Sequence, residues 1–290
     1  MKIDTTPFRI VPGDPVDLEQ RPTRIAPPHA DDAEYERELA ERVGKISRLQ
    51  RDLYADNRHA LLVVFQAMDA AGKDGAIRHV FSGVNPQGCQ VAAFKQPSAE
   101  ELDHDFLWRT VRHLPERGRI GIFNRSYYEE VLVVRVHPQY LDGQRLPDVP
   151  RDLGALWSAR YRSIRDHEAH LGRNGTTVIK FYLHLSPDEQ RERFLARLDD
   201  PDKNWKFSGG DVEERAHWPA YRQAYAEAIR ETSTDEAPWF VVPADDKRTA
   251  RLIVAEAVKD TLAALTLVRP SADPEELAAY RARLAPADQD

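Results

Sequence analysis

The chain has 290 residues, of which 41% are hydrophobic and 31% charged, with a formal net charge of −7. Such a composition suits one α/β domain with a full core and some extensions, and its acidity excludes a general nucleic-acid binder, which needs a basic surface to replace counterions. Cys89 is the only cysteine, so neither an internal disulfide nor a Cys-based zinc site can form within the chain.

Residues 1–30 carry six prolines among mixed polar residues, which predicts an extended arm lying on the body. The opening Met1–Ile10 lacks the apolar core of a signal peptide, and no later apolar run approaches the roughly 20 residues of a membrane span. A cytoplasmic protein with no membrane partner is therefore expected. Tyr35, Leu39, Val43, Ile46, Leu49 and Leu53 recur at spacings of three and four, the pattern of an amphipathic helix over residues 31–57. Leu61–Phe65 is bulky and uninterrupted, as in a strand buried on both faces of a parallel sheet. Small residues around Lys73 follow, and a helix continues to Phe81.

Cys89–Phe94 reads as a second strand. The capping box Ser98-Ala-Glu-Glu101 opens a helix expected to run to about His113, and Gly118–Phe123 is a third strand. Residues 136–152, with three prolines and Gly143, form a connecting loop. Leu153–Leu171 is a helix and Thr176–Leu185 a strand. Ser186-Pro-Asp-Glu189 caps a helix running to about Asp199. Residues 199–218 are polar, glycine-bearing and basic-aromatic, as in a lid. A helix over Trp218–Arg230, a short strand over Pro238–Val242 and a closing helix over Asp245–Leu267 complete the body, and the tail from Arg269 to residue 290 is acidic and punctuated by proline. Strands alternate with helices, so the sheet should be parallel and its ligands should sit at the carboxyl ends of the strands.

Two neighbouring strand ends carry the chemistry. The first holds Asp69, Ala70, Ala71, Gly72, Lys73, Asp74 and Gly75, whose backbone N–H groups and ammonium suit an anion at a helix start. It departs from G-x-x-x-x-G-K-[ST], with Ala67 for the first glycine and Asp74 for the hydroxyl residue, so a tight turn with a solvated lysine is the competing reading. The second holds Asn124, Arg125 and Glu129. Lys73 and Arg125 fit a moving phosphate, while Asp69 and Glu129 fit a metal; a turn residue and a solvated charge are the plain alternatives for the two carboxylates. Arg191, Arg193 and Arg197, with Lys203 and Lys206 in the lid, are either a solvated basic face or a mobile clamp. Trp205 and Phe207 would stack a base or pack a hinge. The histidines form no zinc spacing, and Ser126 lacks a G-x-S-x-G context.

Taken together, Gln66-Ala-Met-Asp-Ala-Ala-Gly-Lys-Asp-Gly75, Phe94-Lys-Gln-Pro97 running into the segment to Trp108, Phe123-Asn-Arg-Ser-Tyr-Tyr-Glu-Glu-Val131, Val133-Val-Arg-Val-His-Pro138 and Lys203-Asn-Trp-Lys-Phe207 resemble the family-2 polyphosphate kinases over about Phe8–Val268. The resemblance implies a P-loop kinase domain spanning 1–290, a thymidylate kinase-like three-layer α/β/α fold with a five-stranded parallel sheet and a helical lid. It implies reversible transfer of the terminal phosphate of inorganic polyphosphate to AMP and/or ADP, with Mg²⁺, or Mn²⁺ in its place. By it, Asp69, Gly72 and Lys73 are residues of the first motif, Asn124, Arg125 and Glu129 of the second, and Arg193, Arg197, Lys203 and Lys206 of the lid; read with the residue chemistry above, Asp69, Lys73, Arg125 and Glu129 are the expected catalytic residues, and Asp69 and Glu129 the expected metal ligands. Polyphosphate contacts fall to Ala70–Gly75, Arg135, Arg193, Arg197, Lys203 and Lys206, and nucleotide contacts to Asn124, Arg125 and Tyr128. Many members have Asp where this chain has Asn124, and the Asn form resembles the subgroup accepting both AMP and ADP; a neutral amide is a poorer Mg²⁺ ligand. Adenine nucleotides are the expected partners, guanine nucleotides an open extension, and a homodimer or homotetramer the expected assembly. The rival functions are an ATP-dependent nucleoside monophosphate kinase and a non-catalytic P-loop nucleotide-binding module.

Overall fold

The structure, a computed structural model, describes residues 3–202, 204–206 and 209–285. Of the expected lid, Lys203 and Phe207 lie outside the described residues, as does the side chain of Lys206. In chain order the elements are α1 (Asp32–Asp56), β1 (Ala60–Ala67), α2 (Lys73–Phe81), β2 (Cys89–Ala93), the short α3 (Ala99–Leu102) and α4 (Trp108–Val111), β3 (Ile120–Asn124), the short α5 (Val133–Val136) and α6 (Leu141–Gln144), and α7 (Leu153–Arg173). They continue with β4 (Thr176–His184), α8 (Pro187–Leu198), α9 (Gly209–Arg215), α10 (Trp218–Thr232), β5 (Trp239–Pro243), α11 (Lys247–Ala264) and α12 (Pro274–Leu284).

The five strands form one parallel sheet in the order β2-β3-β1-β4-β5. All eight positions of β1 are buried, because alternate residues face opposite ways and both faces are covered. Leu61, Val63 and Phe65 pack with α1, α2 and α11, whereas Leu62 and Val64 join Tyr128, Trp157, Tyr161, Ile229 and Trp239 on the side of α7 and α10. The register Phe65↔Asn124 ends β1 and β3 side by side, which is what brings the loop after each strand to one place.

The arm lies on the body as expected: Arg9 bridges antiparallel to Phe240, and Ile10 N–H donates to Trp239 O. Two local expectations fail, and the tail holds an element that was not expected. The helix expected to run to about His113 is two short helices: its capping box forms, but Asp105 accepts from Leu107 N–H at 2.9 Å, a local bond that competes with continued helix. The connecting loop contains a 3-10 turn at Pro138–Tyr140 and α6. The tail contains α12, which Asp273 caps and whose residues are exposed throughout.

The floor of the sheet is tied by a buried ion pair. Lys180 in β4 is fully buried, and its Nζ donates to Glu168 at 2.5 Å and to Thr232 O at 2.8 Å. Glu168 also accepts from the hydroxyls of Tyr127 and Tyr128, each at 2.9 Å. Glu168 thus joins α7 to β4 and to the turn after β3, and Lys180 carries the link on to α10.

At the end of α1, Asp56 accepts from Arg58, His59 and Val268 N–H. Arg58 first, then the Val268 amide, hold its carboxyl well below the usual carboxylate range. A depressed folded-state value means that this contribution is present above the ordinary value near 3.8 and is lost as pH falls below it. In thermal melts, the gap between the unaltered protein and Asp56→Asn should be full at neutral pH and shrink below about pH 4. A gap that does not change with pH would contradict this.

Candidate active site

The loop after β1 is shaped by two left-handed residues, Ala70 (φ 62°) and Gly72 (φ 100°), the second of which begins α2 as its N-cap. For alanine that conformation costs about 1–2 kcal/mol, and it is held from outside. Arg193 Nη1 donates to Ala70 O at 3.1 Å and Ala71 O at 3.0 Å, Nη2 donates to Ala244 O at 2.7 Å and Asp245 O at 3.0 Å, and Nε donates to Glu189 at 2.9 Å. Arg193 is buried. Its planar fork, which a lysine cannot reproduce, clamps the loops after β1 and β5 instead of swinging with a lid. This corrects the mobile-clamp reading for this residue, although its side chain still borders the cavity described below.

Lys73 is the first residue of α2 and is 9% exposed, with Nζ donating to Ala67 O at 2.9 Å. Burial, reinforced by the nearby Arg125 cation, lowers its pKa, while Asp69, Glu129 and Asp74 pull the other way. The solvated-lysine reading is thereby excluded.

Arg125 follows β3 in the left-handed region (φ 63°). Its Nη2 donates to Asp69 at 2.9 Å and its Nη1 to Glu129 at 3.1 Å. Glu129 above all, against the cost of burial and with help from Asp69, raises its pKa, so it stays a fixed cation. Glu129 is also held by Gln66 Nε2 at 2.7 Å, and Gln66 Oε1 accepts from Ser126 Oγ at 3.2 Å. Gln66 has no role in the sequence reading, and its signal was an amide inside an otherwise apolar strand. Asn124 Nδ2 donates to Asp74 at 2.7 Å; an aspartate at 124 would set two carboxylates against each other, so the amide suits this chain.

An open cavity of about 790 Å³ lies over these strand ends. Lys73, Lys95, Arg125, Arg193, Arg197 and Lys247 line it, six cations against the carboxylates of Asp69 and Asp74, along with Ala70, Ala71, Gly72 and Asn124. A chain of net charge −7 thus gathers cations at one site, where they favour a polyanion. Lys95 and Lys247 were missed, although each lies just past a strand end, where ligands of such a sheet bind. Gly75 stands in the first turn of α2. A second, small cavity of about 30 Å³ sits beside Asp69, Arg125 and Glu129 under Glu214, Arg215, Tyr221 and Tyr225.

Two expected contacts fall elsewhere. Tyr128 is fully buried, its hydroxyl engaged by Glu168 and Thr232, with burial and then Glu168 pushing its pKa well up; it faces the core because the turn after β3 is 3-10. Arg135 donates to Tyr161 and to Glu227, both at 2.6 Å, and does not border the large cavity. The described residues hold no group of three or more His, Cys, Asp or Glu fit for a metal. Asp69 and Glu129 nevertheless share one guanidinium, and Mg²⁺ commonly takes only one or two carboxylates and fills its remaining positions with water and substrate phosphate. The donor set fits such an ion.

Residues 29–269 match the family profile of Polyphosphate kinase 2 (PPK2). The ADP-polyphosphate phosphotransferase of Rhodopseudomonas palustris is 57% identical over 274 residues, covering 94% of this chain and 95% of that protein. The AMP/ADP-polyphosphate phosphotransferase of Meiothermus ruber is 48% identical over 226 residues, 78% of this chain and 80% of its own. The crystal structure of polyphosphate kinase 2 from Arthrobacter aurescens TC1 matches with a TM-score of 0.85 and 39% identity, covering 95% of each chain.

Proposed function

The chain belongs to the polyphosphate kinase 2 family, and we propose that it moves the terminal phosphate of inorganic polyphosphate to AMP and ADP, reversibly, giving ADP and ATP. The observation that carries this reading is the six-cation cavity at the strand ends of an acidic protein. Polyphosphate would lie along Lys73, Lys95, Arg197 and Lys247, with the amides of Ala70–Gly75 around its end, and Lys203 and Lys206 would add to the charge that binds it. Arg193 would act by holding that loop. The acceptor phosphate would meet Arg125 and Asn124.

An acceptor phosphate oxygen forms the new bond to the terminal phosphorus as the bridging P–O bond breaks, and the electron pair leaves with the shortened chain. Phosphate is already largely ionised near neutral pH, so no strong general base is needed. Lys73 and Arg125 hold the charge that spreads over the moving group. Asp69 and Glu129 would hold Mg²⁺, or Mn²⁺ in its place, which when bound supplies charge neutralisation at the phosphate oxygens. We propose a cytoplasmic single-domain enzyme acting as a homodimer or homotetramer, and adenine acceptors ahead of guanine ones.

Calorimetric titration with polyphosphate, without nucleotide, tests the donor site. Binding should weaken steeply with added salt, because screening acts on every ion contact. It should weaken by about tenfold or more in the double variant Arg197→Ala with Lys247→Ala. Affinity that ignores both salt and the two cations would contradict the assignment.

A further inference from the structure

Gln190, on α8, has no part in the chemistry above, yet its two amide ends join two parts of the site. It is 2% exposed. Its Nε2 donates to the carbonyl of Asp69 at 2.9 Å, and its Oε1 accepts from Arg215 Nη1 at 2.8 Å. Arg215 ends α9, in the segment expected to form the lid, and also donates to Pro187 O at 3.1 Å. Beside it, Glu214 pairs with His137 at 3.0 Å. A primary amide offers a donor and an acceptor on one planar group; glutamate keeps only acceptors, and leucine keeps neither.

We infer that Gln190 is a positioning residue that couples the seating of α9 to the setting of Asp69. With Arg215 on its oxygen, the amide is turned so that its nitrogen meets Asp69 O. With α9 lifted, that orientation loses its cause and the carbonyl of Asp69 loses a buried donor. The small cavity beside Asp69 has walls from both sides of this link, Gln190 and Arg215 among them, and its volume of about 30 Å³ admits a water or two at most. Seating α9 therefore sets the loop and restricts water at the same place. A broken link should favour hydrolysis of the donor over transfer. This inference rests on the phosphotransfer reading.

The test uses the full chain and the variants Gln190→Leu, Gln190→Glu, Arg215→Leu and the double Gln190→Leu with Arg215→Leu. Hydrogen exchange of residues 68–75 and of α9 is read without substrates. Steady-state kinetics with polyphosphate and AMP, and phosphate release with AMP left out, are read alongside. Gln190→Leu and Arg215→Leu should each speed exchange in 68–75, lower kcat by about tenfold with little change in the polyphosphate KM, and raise phosphate release. The double variant should be no worse than either single one, since both break one link. Gln190→Glu should keep α9 protected, because a carboxylate still accepts from Arg215, while losing protection over 68–75 and losing kcat; a residue that only fills space would not separate the two segments. Additive losses in the double variant, or wild-type exchange and kcat in Gln190→Glu, would overturn the inference. Failure of the phosphotransfer reading is seen separately, as no nucleotide product from the unaltered protein, and the exchange results then decide the coupling alone.

Discussion

Replacing Lys73 with Met is expected to cut phosphate transfer from polyphosphate to AMP by at least about 100-fold, or roughly 3 kcal/mol of transition-state stabilisation, while the protein stays folded. The ammonium is already stripped of most of its water, held at the head of α2 and aimed at the loop by its bond to Ala67 O. An incoming phosphate therefore meets a fixed charge in a site of low dielectric, where such a charge is worth more than in water. Methionine keeps most of the length and volume but removes the charge, so packing on α2 should survive and only the anion contact should go. Steady-state rates beside a circular-dichroism melt check the result. Activity above about a tenth of the starting value, in a variant that melts normally, would show that Lys73 is not central.

Glu168→Ala should produce the largest loss of stability, about 3–5 kcal/mol, because it strands Lys180 as a buried charge without its partner. Burial already lowers the Lys180 pKa, and Glu168 is what opposes that shift. The same change takes the shared acceptor from Tyr127 and Tyr128. Replacing both partners with apolar residues, as in Glu168→Leu with Lys180→Met, should recover much of the loss, since an ion pair exchanged for packed hydrophobic groups is often nearly neutral. Urea melts of the two variants check both statements. A loss in Glu168→Ala below about 1 kcal/mol would mean that the pair behaves like a surface one.

These two residues mark what could and could not be read from the sequence. Lys73 sits where an apolar strand meets a small-residue loop and a helix, a local pattern that discloses its element and suits an anion. The sheet was legible for the same reason: each strand shows as its own apolar run, and the register that joins Phe65 to Asn124 explains why Asp69 and Arg125 meet. Glu168 and Tyr128 meet across 40 positions, and nothing in the local pattern around Tyr-Tyr-Glu-Glu shows that the turn would point both rings inward. Arg193 looked like one of several exposed cations on a helix, yet only Arg193 of the pair with Arg191 faces the body: Arg191 is exposed and Arg193 buried. Charge pattern reveals that a helix is basic, but not which cation the tertiary fold will spend on backbone carbonyls. Gln66 showed only as an amide inside an apolar strand and Gln190 not at all, since an amide's role depends on partners from other elements. Lys95 and Lys247 were within reach, because strand-end position applied to every strand would have included them.

The identity of the phosphate donor is decided by an assay containing AMP, polyphosphate and Mg²⁺ but no ATP. ADP should form first and ATP follow, with polyphosphate consumed in step and Lys73→Met nearly inactive. No nucleotide product from this mixture, with ADP appearing only once ATP is supplied as donor, would contradict polyphosphate as the donor.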